Sequence, residues 1–360
     1  MTAKEQIIPA LLQSLQMKKV KTILFSIVCL MTACFVAVVL LNMRNDKYDK
    51  LPDADRQALL ELETYMKAEQ VTPVWQDFSL YDKTFVTINK SDKTVYLVNP
   101  EKEPKGIFVR RIKMPSDSGL SVYRISPVYP GLFQFWADGN FNTIQKEYRL
   151  YGNEVYYVKY DRETGIDQAY TSEHFITFLT HEAFHYYRQN DWPEAGRYPG
   201  EKITDSELKL LEKEYVLLDE IRTQMRKRIR DKEALYDFAE EYVAAAKALE
   251  AENPELAAHY AERETVEGSA EYVGIQASRI VGYDYGVMYF TNQTDVPFST
   301  VVPNVEAGLV SRDFVADSIP YRTGATLCQL MDAMELTDWQ ERLNNREEAT
   351  LLSVLESYLV

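Results

Sequence analysis

Two histidines four residues apart, with a glutamate directly after the first, form the segment His181-Glu182-Ala183-Phe184-His185. On a helix the two imidazoles project from one face, one turn apart, close enough to ligate a single ion. Glu182 then lies about 100° around the helix, beside such an ion rather than on it. A carboxylate so placed suits the base that takes a proton from water activated by the metal. Zinc is the expected ion, because imidazole and carboxylate donors with one open position are its usual catalytic arrangement. Phe175, Ile176, Phe178, Leu179, Ala183 and Phe184 surround the same stretch with apolar bulk, which predicts a buried helix. Unpaired buried polar groups cost about 1–3 kcal/mol each, and a metal supplies the missing partner.

A catalytic zinc needs a third protein ligand, and two routes are open. The metzincin pattern would place Gly at 188 and His at 191; the chain has Asp191, which could ligate, but Arg188 does not easily supply the glycine-dependent turn of that pattern. The stronger route is the acidic stripe Glu264, Glu267 and Glu271 at spacings of three and four. Like charges so placed repel by a few tenths of a kcal/mol per pair, so the stripe is favourable when it faces a cation. Gly268, within the stripe, leaves room for another helix to approach.

The segments 175–189 and 265–274 resemble the gluzincin branch of the zinc metallopeptidases, with a looser similarity in Tyr321-Arg322-Thr323-Gly324 and in residues 330–339. Glu267-Gly268-Ser269-Ala270-Glu271-Tyr272 is similar to the Glu-Gly-x-Ala segment that supplies the third ligand there. The resemblance implies Glu267 as that ligand and Glu271 as the carboxylate that orients the first histidine. Glu267 follows His185 by 82 residues, a gap longer than in the best-known gluzincins, which a helical insertion would fill. The chain lacks a Gly-x-Met-x-Asn exopeptidase segment, so aminopeptidase activity is not implied.

An oxyanion requires a phenol or guanidinium near the reacting carbonyl, for which Tyr321 or Arg322 comes first and Tyr283 and Tyr285 second. His174 and His259 read as structural, and Cys328 as a small buried hydrophobe.

The elements that must hold these residues come in three blocks. Residues 22–41 run without a charge, long enough to cross a bilayer, and Lys18, Lys19 and Lys21 before them favour an N-terminus in the cytoplasm. A second reading starts at Met17 and takes residues 30–34 as a lipobox, a lipoprotein signal ending near Cys34. Either way residues 1–44 tether a domain outside the cytoplasm. Residues 45–170 read as a linker, a helix over 53–70, and a β-rich part with strands near 84–89, 94–98, 107–112, 120–126 and 154–160. The last of these is the expected edge strand for an extended peptide. Residues 171–360 read as helical: the motif helix to about 189, a hairpin over 205–250, a helix from Pro254 to about 280, and shorter helices near 324–334, 338–343 and 347–359. The fold class expected is α+β, a small mixed or antiparallel sheet followed by a mostly helical zincin-like domain.

With 46% apolar residues the 360-residue chain can bury a large core. Its net charge of −15 argues against nucleic acid as a partner. The expected function is a membrane-tethered, extracytoplasmic zinc metallopeptidase acting on a peptide or protein. The rival from another class is a non-catalytic surface binding or scaffold protein with a structural metal or none.

Overall fold

The computed structural model describes residues 3–44, 46–144, 146–168, 170–193, 196–345 and 350–359, with side chains from residue 17 to 40 and from 46 onward. A long helix, α1 (Ala3–Arg44), contains one stretch, Met17–Leu40, of sufficient length and apolarity to span a membrane. α2 (Asp53–Glu69) follows and lies on the sheet.

The sheet comprises β1 (Phe85–Asn89), β2 (Thr94–Val98), β3 (Val109–Arg111), β4 (Val122–Ile125), β5 (Tyr148–Leu150) and β6 (Asn153–Tyr160), in the order β3-β4-β2-β1-β6-β5. β1 runs parallel to β6, with Phe85 opposite Tyr156, and the other neighbours are antiparallel. Alternation sends Phe85, Tyr96, Val98, Tyr156 and Val158 into the core shared with the helices. Val86, Ile88, Val95, Leu97 and Tyr157 face the other way, under Leu132 and Phe135 of the turn that leads into α3 (Phe133–Ala137) and of α3 itself. Both faces are covered, which is why every residue of β1 and β2 is buried, the polar Thr87, Asn89 and Thr94 included. Asp55 of α2 is fully buried, yet it accepts hydrogen bonds from Asn89, Thr94, Tyr96 and Tyr160 at 2.7–3.0 Å, so the carboxylate pins α2 to the sheet at little desolvation cost.

β6 is not the open edge expected for residues 154–160. β5 pairs with its first residues, and residues 140–142 cover the rest: Lys159 N–H donates to Asn140 O at 2.7 Å, and Tyr157 N–H to Asn142 Oδ1 at 2.9 Å. The turn-forming Asp138-Gly139-Asn140 directs the chain back along β6.

The helical part begins with α4 (Phe175–Tyr187). α5 (Asp205–Met225), opened by a Thr204–Glu207 capping box, packs against α6 (Lys232–Glu252). Asn253 caps α7 (Pro254–Arg263), which continues through a widened π-type turn, Glu264–Gly268, into α8 (Ser269–Ile280). α9 (Val301–Glu306), α10 (Arg312–Asp317), α11 (Ile319–Ala333), α12 (Trp339–Asn344) and α13 (Leu351–Ser357) complete the chain. Residues 347–349 of the last expected helix lie outside the described residues. The architecture is α+β, with the sheet and helices sharing one core. Asn344 closes it: its side-chain oxygen accepts from Trp75 Nε1 and from Arg188 Nε, both at 2.9 Å, joining residues 269 apart in the chain.

Candidate metal centre

α4 places His181 and His185 on the side that meets α8, with Phe175, Ile176, Leu179, Ala183 and Phe184 anchoring the helix in the core. α8 comes close because Gly274 has no side chain: a methyl there would lie 3.1 Å from the Thr177 carbonyl oxygen. One turn before Gly274, Glu271 Oε2 lies 3.3 Å from His181 Nδ1. One turn earlier, Glu267 Oε2 lies 3.3 Å from His185 Nε2 and 3.7 Å from His181 Nε2, and the two Nε2 atoms are 3.2 Å apart.

Those separations suit a tetrahedral ion. Donors about 2.0–2.1 Å from zinc stand roughly 3.3 Å from one another. The outer nitrogens support the same geometry. His181 Nδ1 faces Glu271, and His185 Nδ1 faces Gln189 Oε1 at 2.5 Å, so both rings can donate outward and turn their Nε2 lone pairs on one point. Tyr285 donates to Glu271 Oε1 at 2.5 Å, holding that carboxylate in turn. Among the described residues, His181, His185 and Glu267 are the group that can hold a metal ion.

The electrostatics favour positive charge here. Burial alone would lower the His181 pKa, but the Glu267 and Glu271 carboxylates outweigh it and raise it to about 10. Burial opposes ionisation of Glu267, and the two histidines reverse this, holding it well below the usual carboxylate range. Glu182 is half-buried and lines the same cavity of about 930 Å³. Its pKa is raised, first by burial, with the histidines acting against the rise and Glu267 adding to it. A carboxylate biased toward holding a proton is suited to shuttling one.

Tyr321, on α11, lies with its ring nearly parallel to that of His181, 5.9 Å between centroids. Its pKa is raised by burial and then by Glu267, so the phenol stays protonated and can donate. Arg322 also lines the cavity, but its Nη1 donates to Ser318 O at 2.9 Å and its charge acts on Glu271 and Tyr285. Tyr283 packs on His174 and Tyr285 holds Glu271, so neither is a donor at the centre.

Several residues serve elsewhere. Glu264 does not join the cluster: each residue of the π-type turn advances by less than the ordinary 100° or so, which swings Glu264 away from Glu267 into the core. There it accepts from Thr323 at 2.5 Å and Tyr242 at 3.2 Å. Asp191 is exposed and outside the ligand group. His174 pairs with Glu61 at 3.0 Å, both buried, His259 meets Ala316 O at 3.1 Å, and Cys328 is fully buried.

Sequence reasoning missed Gln189. It is 3% exposed, and its amide nitrogen donates to Val266 O at 2.9 Å and Ser269 Oγ at 2.8 Å while its oxygen meets His185. One amide thus joins the second histidine to the turn that carries Glu267. The available signal was its position four residues after His185, a third polar residue at helical spacing. No match to this chain was found among protein-family models, curated proteins or solved structures.

Proposed function

We propose that the chain is a membrane-tethered zinc metallopeptidase of gluzincin type, its catalytic domain outside the cytoplasm. The observation that carries the reading is the convergence of His181 Nε2, His185 Nε2 and Glu267 Oε2 at 3.2–3.7 Å beside Glu182 in one large cavity. These three residues would hold the ion, which when bound supplies a Lewis acid for the peptide carbonyl and a water of lowered pKa.

The chain's own residues carry the remaining work. Glu182 takes the proton from the attacking water and returns it to the leaving amine nitrogen. The Tyr321 phenol donates a hydrogen bond where charge develops on the carbonyl oxygen. Glu271, held by Tyr285, fixes the His181 ring, and Gln189 fixes that of His185. Residues 141–144 line the cavity and offer backbone for an extended peptide in place of β6. Lys18, Lys19 and Lys21 before the apolar stretch favour the domain lying beyond the membrane.

Metal analysis of the purified full chain, with a peptide-library screen under chelator control, tests this. About one zinc per chain is expected, lost in His181→Ala and Glu267→Ala and kept in Glu182→Gln, which should lose hydrolysis by 10²-fold or more, roughly the weight of a general base. A metal-free wild type supports a scaffold instead, and undiminished cleavage by Glu182→Gln sinks the mechanism.

A further inference from the structure

Phe35 of α1 lies five residues before the end of the apolar stretch at Leu40. At a rise of 1.5 Å per residue this is roughly 8 Å inside that end. Yet its ring meets Phe108, in the segment leading into β3, edge-on at 5.7 Å, and Val39 is buried nearby. Phe108 packs in turn on Tyr129 at 5.4 Å, and Tyr129 stacks on Tyr151 at 4.8 Å. If α1 spans a bilayer, this corner of the folded domain must sit level with the bilayer surface.

The same corner carries the chemistry for that position. Ile107 is 60% exposed, and α3, just beyond Tyr129, leaves Phe133 75% and Trp136 36% exposed. Three to six residues further along the chain, Arg110, Arg111 and Lys113 line a cavity of about 510 Å³ with one acid, Asp46. That is a local excess of positive charge in a chain of net charge −15. Asp46 pairs with Lys113 at 2.9 Å and Arg110 at 3.1 Å, and these two hold its pKa down. Arg111 lies over the Tyr123 ring, and Arg110 Nε is buried without a hydrogen-bond partner. Apolar and aromatic side chains at the headgroup level, with guanidinium and ammonium groups behind them, match an anionic lipid surface.

We infer that the edge formed by Ile107, Phe108, Arg110, Arg111 and Lys113 docks on the bilayer, Ile107 and Phe108 entering the interface and the three cations binding the phosphate of an anionic phospholipid. The inference rests on α1 being retained as an anchor and is independent of the metal centre.

The full chain, with Cys29 and Cys34 replaced by Ala and an environment-sensitive fluorophore on Ile107→Cys, is reconstituted into vesicles of phosphatidylcholine alone or with about one-third phosphatidylglycerol. Brominated lipid should quench the probe and aqueous iodide should not. Phosphatidylglycerol should strengthen lipid quenching by roughly threefold, in line with charge attraction near the surface. Arg111→Gln, which leaves both Asp46 ion pairs intact, should reduce that gain, and Arg110→Glu with Lys113→Glu should abolish it. Free quenching by iodide in both vesicles overturns docking, and equal lipid quenching with and without phosphatidylglycerol overturns the headgroup site. The intact mass separates these from loss of the anchor: a chain lacking α1 removes the premise itself.

Discussion

Gly268 and Gly324 meet backbone to backbone, leaving neither residue room for a side chain. A methyl on Gly268 would lie 2.5 Å from Gly324 Cα, and one on Gly324 would lie 2.3 Å from the Glu264 carbonyl oxygen. α11 therefore presses directly on the turn that carries Glu267. Gly324→Ala should push the two apart, costing about 1–3 kcal/mol or more, since backbone rather than a flexible side chain must move. Zinc affinity, read by competition with a chromophoric chelator, should fall with the melting temperature. An unchanged affinity would mean that Glu267 does not depend on this contact.

Glu271 is expected to act on the metal through His181. Glu271→Gln should lower zinc affinity by 10- to 100-fold, the range typical of carboxylates behind a ligating histidine. Tyr285→Phe should produce a smaller loss, because it frees Glu271 without removing its charge. Isothermal titration of the two variants orders the effects.

Gln189→Leu keeps the bulk and removes the amide. The Val266 carbonyl and Ser269 hydroxyl would lose a donor, at about 1–3 kcal/mol if they stay buried. His185 would also lose the acceptor at its Nδ1. Chemical denaturation and zinc titration should therefore both register the change, whereas a merely structural glutamine would move only the first.

Glu264 sets a pH dependence of stability. Burial raises its pKa from 4.5 to about 7, against the hydrogen bonds from Thr323 and Tyr242. The folded value exceeds the unfolded one, so folding favours the protonated acid. Its contribution is complete below about pH 4.5, is lost as pH climbs through 7, and stays lost above that. The loss is on the order of 3 kcal/mol. Glu264→Gln should flatten the melting temperature between these pH values and raise it at pH 8. A variant less stable than wild type at pH 8 would contradict this account.

The histidines were legible because a helix turns four-residue spacing into one face, a local rule that needs no partner. The acidic stripe marked three candidate carboxylates, and only the resemblance of residues 267–272 to the Glu-Gly-x-Ala segment singled out Glu267 among them. Glu264 was misassigned to that stripe because a π-type turn, whose residues each advance by less than those of an α-helix, leaves no clear mark in residue types. The helix and strand texture followed from periodicity. The parallel pairing of β1 with β6 did not, since nothing local tells Phe85 that Tyr156 lies opposite. Residues 140–142 concealed β6 for a similar reason: turn residues reveal that the chain reverses, not where it lands. The short α3, α9 and α10 have too few turns to display a period.

The Trp75–Asn344–Arg188 bridge has a bearing on timing. A ribosome adds residues from the N-terminus, so the collar around the C-terminal end of α4 cannot close until position 344 has been synthesised. The histidine pair is made more than 150 residues before this support can form. The end of α4 that carries His185 is thus secured by a residue synthesised long after it, so completing the helix does not by itself complete its support.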